Sequence, residues 1–495
     1  MSRIQTNVPS LLAQRVLGQN TRDLNTSLER LSTGLRINRG ADDPSGLIAS
    51  ENLRSEKAAI TAAIDNAERA EQVVNIAEGG LQEVNNLLLE VQGLIGASAN
   101  EAGISTAEKE ANQLEIDSII QTIDRIASTT SFQGTKLLNG NYDFQTTGAD
   151  ADDVAEVKVN AAKLQFDGER QVDVQVSTVA EKAGLFLDLG ANGVNPADGE
   201  SFSFDLAGKD GSRQFTFGSG ATAADVAEAI TTFVDVTGLT ATASGTSVAI
   251  TSTGYGDEEF ASIDVTNLGG QAGTVAQLSG TVASTATTAL DAATSTIRDE
   301  GVDVVANING IKARTDGLKA SISTDFLDVE VNLTEAGGTA TGDKDAGTIT
   351  GGGANFNLGP QVNIGNQVSL GIGNIAARNL GSEENGYLSQ LTAGSEANVV
   401  DGDLGRAQKI VNDAIVDVTS LRGRLGAFQK NTVGASIRSL GVALENTSAA
   451  ESSIRDTDFA EETSKLTRAQ VLQQSATSIL ALANSAPQSA LSLLQ

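Results

Sequence analysis

The sequence predicts a mixed α and β protein: long coiled-coil helices from both chain ends form a rod, with one or two β-rich outer domains inserted between them. Three observations carry that reading. Apolar side chains recur every seven residues near both ends, the period of a helical seam. The middle turns to Gly, Thr, Ala and Asp with apolar–polar alternation, the period of a half-buried strand. Neither terminal region can bury its seam alone, so the two are expected to pair with each other and with other copies.

The first helix carries Ile4, Val8, Leu11, Leu12 and Val16, then Leu17, Leu24 and Leu31 seven apart, with Leu28 offset by four. Gly34 supplies a left-handed C-cap and should end it. After the polar loop GLRINRGADD, Asp43-Pro44 reads as the N-cap and first position of a second helix. Its ladder is Leu53, Ile60, Ala67, Val74, Leu81, Leu88 and Ile95, with Ala63, Ala70, Ala77, Val84 and Val91 three further on. This 3–4 spacing predicts one coiled-coil helix over about 45–98, and its alanines predict close approach of a partner. Leu114, Ile116, Ile119, Ile120 and Ile123 place an apolar face on a third helix.

In the middle, SFSFDL (201–206) and RQFTFG (213–218) alternate around a Lys-Asp-Gly turn, a hairpin signal. Val226, Ile230 and Phe233 suggest a short helix. GLTATA and SVAITS flank a Ser-Gly-Thr turn, ANINGIKA carries Asn-Gly, and Leu327, Val329, Val331 and Leu333 alternate. Residues 181–400 hold 27 acidic and 9 basic side chains, so more than half of the chain's net charge of −30 sits there, on the most solvated part.

The far end mirrors the first. Leu404, Val411, Val418 and Leu425 are seven apart, Ala407, Ala414, Leu421 and Phe428 lie three further on, and Ile437, Leu440 and Leu444 continue the stripe. A last helix from Asp458 has acidic residues in its first turn, as the helix dipole favours, and apolar positions at Phe459, Leu466, Val471, Leu472, Ile479, Leu480 and Leu482. Pro487 should end it.

Composition narrows the function. The chain has no Cys, His or Trp, which excludes disulfides, Cys nucleophiles and His-centred catalysis and leaves structural zinc without its usual ligands. Aromatic residues are 3% of the chain, too few for a stacking surface or a cofactor pocket, so no cofactor or enzymatic activity is expected. The negative charge disfavours nucleic acid and anionic membrane surfaces. The opening MSRIQTNVPSLLAQ lacks a basic and then apolar leader, and apolar runs such as Leu87–Leu89 are far too short to span a bilayer. The protein is therefore expected to be soluble or to leave the cell without a cleaved leader.

Four segments carry a resemblance: RLSTGLRINRGADDPSGLIASENLRS (30–55), FQGTKLLNG (132–140), RLGAFQKNTVGASI (424–437) and SAAESSIRDTDFAEETSKLTRAQVLQQSATSILALAN (448–484). Together they resemble bacterial flagellin, and DVVANINGIKARTDGLKASIS (303–323) is similar to a small repeat in the outer domains of that family. The resemblance implies a subunit that is exported unfolded by the flagellar type III apparatus and self-assembles into an extracellular filament. It implies an inner coiled-coil domain from 1–44 and 455–495, and a rod-like helical domain with a β-hairpin segment from 45–180 and 400–454. Residues 181–399 would form the variable outer domains. The filament core would be packed by Leu17, Leu24, Leu28, Leu31, Phe459, Leu466, Leu472, Ile479 and Leu482. Implied partners are further copies of the chain, the filament cap, hook-junction proteins and an export chaperone at the C-terminal helix. In many flagellins the stretch matching 81–98 is recognised by a Toll-like innate receptor. Leu94 and Glu115 fit that pattern, whereas Glu90 stands where recognised members carry arginine, a reversal that should weaken binding.

Other readings compete. A hook–filament junction protein shares the terminal helices, and a surface adhesin would use the acidic β domains; the closing Ser-Leu-Leu-Gln and the extent of the matching ends favour the filament subunit. Asp257-Glu258-Glu259 and Asp343-Lys344-Asp345 lack EF-hand spacing and read as solvated loops. Asn25, Asn332 and Asn446 begin Asn-X-Ser/Thr triplets, but the first and last would lie in assembly helices, and the resemblance implies outer-domain Ser and Thr residues as better glycan acceptors.

Overall fold

The computed structural model describes residues 6–100, 103–164, 168–190, 193–197, 199–279, 282–290 and 296–492; Ile4 and the last three residues of the closing motif lie outside them. Helices run over Val8–Thr33 (α1), Pro44–Ser98 (α2), Thr106–Thr129 (α3), Ala223–Thr232 (α4), Leu404–Ala427 (α5), Gly434–Arg455 (α6) and Phe459–Ser492 (α7). The chain divides into two compact units: Met1–Gln72 with Phe356–Asn366 and Ala427–Gln495, and Val73–Asn355 with Gln367–Gly426.

In the first unit, α1 starts where the Asn7 side chain accepts the Ser10 N–H and stops at Gly34, whose φ of 75° is the left-handed cap the sequence predicts. Asp43 Oδ1 accepts the Gly46 N–H at 2.9 Å, so α2 begins at Pro44 as expected. The part of α2 in this unit is tied to α6 by Arg455–Glu51 at 3.1 Å and Lys57–Glu451 at 3.4 Å. Both chain ends break their helices together: the Arg36 N–H donates to Arg455 O at 2.7 Å, the Thr457 N–H to Gly34 O at 2.9 Å, and Ile37 is buried beneath.

One expectation for this end is corrected and one feature is new. Helix α7 passes through Pro487 and continues to Ser492. Proline forfeits one backbone bond but holds a helical φ, so a helix propagated from Phe459 can carry it. Between α5 and α6 lies a six-residue π turn, Phe428–Val433, which the heptads did not announce. Its extra residue moves the inward stripe on by one: Val433 is buried in place of Thr432, and Val442, on the line of Ala407 and Ala414, is exposed.

In the second unit the α2 ladder is buried throughout, at Val74, Ala77, Leu81, Val84, Leu88, Val91 and Ile95. Helix α5 buries Ala407, Ile410, Val411, Ala414, Val418, Leu421 and Leu425, and antiparallel polar links join the pair: Gln92–Asn412 and Arg422–Glu78, both at 2.8 Å. Helix α3 contributes Ile116, Ile119, Ile120 and Ile123, but Leu114 is 70% exposed, correcting its assignment to that face. Two positions before Ile116 it lies about 200° around the helix.

Two β sandwiches complete this unit. One joins the sheet Arg314–Asp316, Lys319–Ser323, Leu327–Leu333, Val154–Ala162 to a sheet containing Val305–Ile308, Arg170–Thr178, Gly342–Gly352 and Phe144–Thr147. Val159, Val172, Val174, Val176, Val329 and Val331 fill its core. The other spans 184–300 and includes both expected hairpins, Phe202–Gly208 with Gly211–Phe217 and Leu239–Ser244 with Ser247–Ser252. Helix α4 covers it, and Phe202, Phe204, Leu206, Val226 and Ile230 are in its core. At the Asn-Gly turn Asn309 and Gly310 have φ of 49° and 79°, the primed-turn geometry that joins strands tightly.

The boundary at 180 therefore moves. Strands between Phe144 and Thr178, grouped with the helical rod by the family resemblance, are hydrogen-bonded to strands between Val305 and Gly352. Their partners lie more than a hundred residues away, beyond the reach of local periodicity. This sandwich is joined to α5 by Lys158–Asp417 at 2.7 Å and by Arg424 on the Asn160 side chain, whose amide donates to Asp328 at 2.9 Å.

Candidate assembly surface

Helices α1 and α7 pack antiparallel, and four polar contacts fix their register. The Asn7 amide donates to Ala483 O at 2.9 Å, and the Ser10 hydroxyl to Asn484 Oδ1 at 2.7 Å. The Asn20 amide donates to Leu472 O at 3.2 Å, and the Gln473 amide to Thr21 Oγ1 at 3.4 Å. Near the end of α1, Arg30 lies 3.9 Å from Glu462, which is 3% exposed; Glu462 is also 3.6 Å from Lys465. Hydrogen bonding to Glu461, at 2.9 Å, holds the Lys465 ammonium above its ordinary pKa.

The side chains closing this pair are small. Ser10, Ala13 and Ser27 are buried from α1, and Ala469 and Ala476 from α7. Small side chains allow the backbones to approach and leave large ones on the flanks. Leu17, Leu24, Leu31 and Leu466 are half-buried, while Leu28, Phe459, Leu472, Ile479 and Leu482 are exposed, Leu482 to 72%. Val8, Leu11, Leu12, Val16 and Val471 are exposed as well. The leucine line is thus not the seam between the two helices, which corrects the reading that followed the largest residues. The signal for the true seam was present: Ala13, Asn20 and Ser27, and Ala469, Ala476 and Ala483, are each seven apart.

Glu90 is exposed on α2 between the buried Leu88 and Val91, and Leu94, one turn on along the same face, is half-buried. Glu115 is exposed on α3 beside the buried Ile116. Within the acidic clusters, Glu258 and Glu259 lie 3.3 Å and 3.2 Å from Lys209, and Lys344 lies 2.8 Å from Asp153. Among the described residues no group of His, Cys, Asp or Glu is arranged to hold a metal ion.

A helix pair closed by alanine and serine with bare leucine, isoleucine and phenylalanine outside does little chemistry; what it offers is a surface for helix packing. Residues 4–143 match the family described as the bacterial flagellin N-terminal helical region, and 408–494 match its C-terminal helical region. Flagellin B of Vibrio cholerae is 28% identical over 496 residues and Flagellin A of Vibrio anguillarum 29% identical over 492, each alignment covering 99% of both chains. FliC from Burkholderia pseudomallei aligns over 73% of this chain and 99% of its own, at 16% identity and a TM-score of 0.24. With both helical ends matched and full-length relatives that are flagellins, the chain belongs to the bacterial flagellin family.

Proposed function

We propose that this flagellin is the repeating, non-enzymatic subunit of an extracellular flagellar filament, and that further copies cover the apolar flanks of α1 and α7. The observation that carries the reading is the exposure of Leu28, Phe459, Leu472, Ile479 and Leu482 on a helix pair whose own seam is alanine and serine. Five large apolar side chains in water on two adjacent helices are a surface awaiting partners. In this reading α1 and α7 make the inner coiled coil and α2, α3, α5 and α6 the rod, while the two sandwiches face outward. Type III export, the filament cap, the hook-junction proteins and a chaperone on α7 belong to the same proposal. No described helix is long and apolar enough to cross a membrane.

A Toll-like innate receptor is a further proposed partner, bound weakly because exposed Glu90 presents an anion where a cation is suited. Electron microscopy of the purified chain tests the main reading. Long tubes formed by this protein alone support it; a folded chain that never polymerises favours the junction or adhesin alternatives.

A further inference from the structure

Residues 346–377 contain no charged side chain, the longest such run in a chain with 96 charged residues and a net charge of −30. The second longest, 469–495, begins on α7, where Val471, Leu472, Ile479 and Leu482 are bare. Within the longest run, residues 358–366 form a self-braced loop in the first unit. The Leu358 N–H donates to Asn366 O at 2.9 Å, the Asn366 amide to Gln361 O at 2.9 Å, and the Asn366 N–H to Asn363 Oδ1 at 2.9 Å. Leu358 is buried at its base, and Pro360 stiffens it. At its tip Val362 is 85% exposed and Ile364 41% exposed.

We infer that the Leu358–Asn366 loop is a docking element for a second copy of this chain, with Val362 and Ile364 inserted against that copy. This rests on the filament reading above but names a surface outside the terminal helices. The charge balance selects the occupant. Copies of a polyanion repel one another, so they can approach closely only where both faces are neutral. A basic partner would be met by carboxylates, of which this loop has none. The internal hydrogen bonds mean that little ordering is required when the loop binds, which favours a contact made many times over in a polymer.

The absence of cysteine makes the test clean, because Val362→Cys introduces a single thiol. Its maleimide labelling rate, relative to that of Val236→Cys in the outer sandwich, is compared between monomers and filaments of the full chain. The expected result is a ratio at least ten-fold lower in filaments; an unchanged ratio overturns the inference. Gln361→Glu, at the exposed loop tip, should raise the critical concentration for assembly several-fold at low salt and return toward wild type at high salt. Assembly of Gln361→Glu identical to wild type at low salt also overturns it. Thermal melting of each variant monomer confirms that the fold is intact. A wild-type chain that never polymerises is a failure of the filament reading. Wild-type filaments, with a thiol at position 362 that stays freely reactive in filaments of the Val362→Cys variant, sink only the loop contact.

Discussion

Lys158 and Asp417, 259 positions apart, meet at 2.7 Å where a β-strand of one sandwich crosses helix α5. Burial lowers the ammonium's pKa, but Asp417, Glu156 and Glu330 around it outweigh burial and hold it above its ordinary value. One step away Arg424 is largely desolvated, which pulls its pKa down against the pull of Asp328, Asp143, Glu330 and Asp417.

Asp143, at the edge of this cluster, gives a pH prediction. Burial raises its pKa despite the Phe144 N–H, Arg424 and Lys158. A carboxyl with a raised folded pKa binds more protons folded than unfolded, so its contribution to stability is present at low pH and lost as pH rises through that pKa. Asp225 is the opposite case: as a capping-box residue it accepts the Thr222 N–H, which lowers its pKa. Its contribution is present above the unfolded pKa and lost on acidification. Melting temperatures between about pH 3 and 7 should show Asp143→Asn removing a stabilisation on acidification and Asp225→Asn removing a loss. Parallel curves for the two variants would contradict the assignment.

The terminal helices give a differential prediction. Leu28 and Leu472 are each 47% exposed in the single chain, so Leu28→Asp and Leu472→Asp should change monomer stability by less than about 1 kcal/mol. Buried unpaired in a polymer, each carboxylate would cost several kcal/mol, about 3 or more. Sedimentation should therefore find folded monomer and no filaments. Normal filaments from either variant would remove that residue from the interface.

The Arg30–Glu462 pair is expected to govern how firmly α1 is held. The α1–α7 seam buries small side chains, each contributing little, so the pair should be among the first parts of the fold to open. Glu462→Gln removes an almost buried carboxylate from beside Arg30 and Lys465, at a cost of about 1–3 kcal/mol. Hydrogen exchange in monomers should accelerate roughly ten-fold or more across 8–33 and 459–480 and stay unchanged across 74–95. Uniform acceleration in both regions would mean that these helices do not open as a separate unit.

Much of the fold was legible because its signals are local. The α2 ladder from Leu53 to Ile95, the caps at Gly34 and Asp43, and the turn at Asn309-Gly310 each need only a few neighbouring residues. What escaped was non-local or compensated. The strands at Val154–Ala162 and Arg170–Thr178 find partners beyond an inserted domain, which neither local periodicity nor the boundary at 180 implied by the family resemblance reveals. The π turn at Phe428–Val433 hides within apolar residues that satisfy either phase of the seam. In α1 and α7 the large residues drew the reading, yet close backbone approach selects alanine and serine for the seam and sends leucine outward.

Glu90 tests recognition by the Toll-like receptor separately from assembly. Its neighbours Leu88 and Val91 are buried while Glu90 is exposed, so Glu90→Arg should leave the helix undisturbed. If the receptor suits a cation there, the anion forfeits a charge-assisted pair and adds repulsion, about 2–5 kcal/mol. Reporter cells exposed to Glu90→Arg monomer should respond at roughly thirty-fold lower concentration than to wild type. An equally potent wild-type response means that residue 90 does not govern recognition.

The outer sandwich can be removed without cutting a strand of the other, and the structure shows where to cut. Glu181 and Val302 form an isolated antiparallel bridge, with both N–H groups donating to the opposite carbonyl at 2.9 Å. The entry and exit of the 184–300 sandwich are therefore adjacent, and residues 182–301 can be replaced by Asn-Gly, a two-residue hairpin connection. The inner sandwich keeps every strand, losing only outlying links such as Tyr255–Glu335. Excising 190–390, as the change in composition alone suggests, would instead remove the strands at Val305–Ile308 and Leu327–Leu333. Val172, Val174 and Val176 would then be uncovered, leaving an unpaired edge prone to aggregation. The short deletion should give filaments of normal length and a thinner outer layer, and the long one soluble aggregate. If the short-deletion subunit is folded and monomeric yet cannot polymerise, the outer sandwich is part of the assembly contact rather than an appendage.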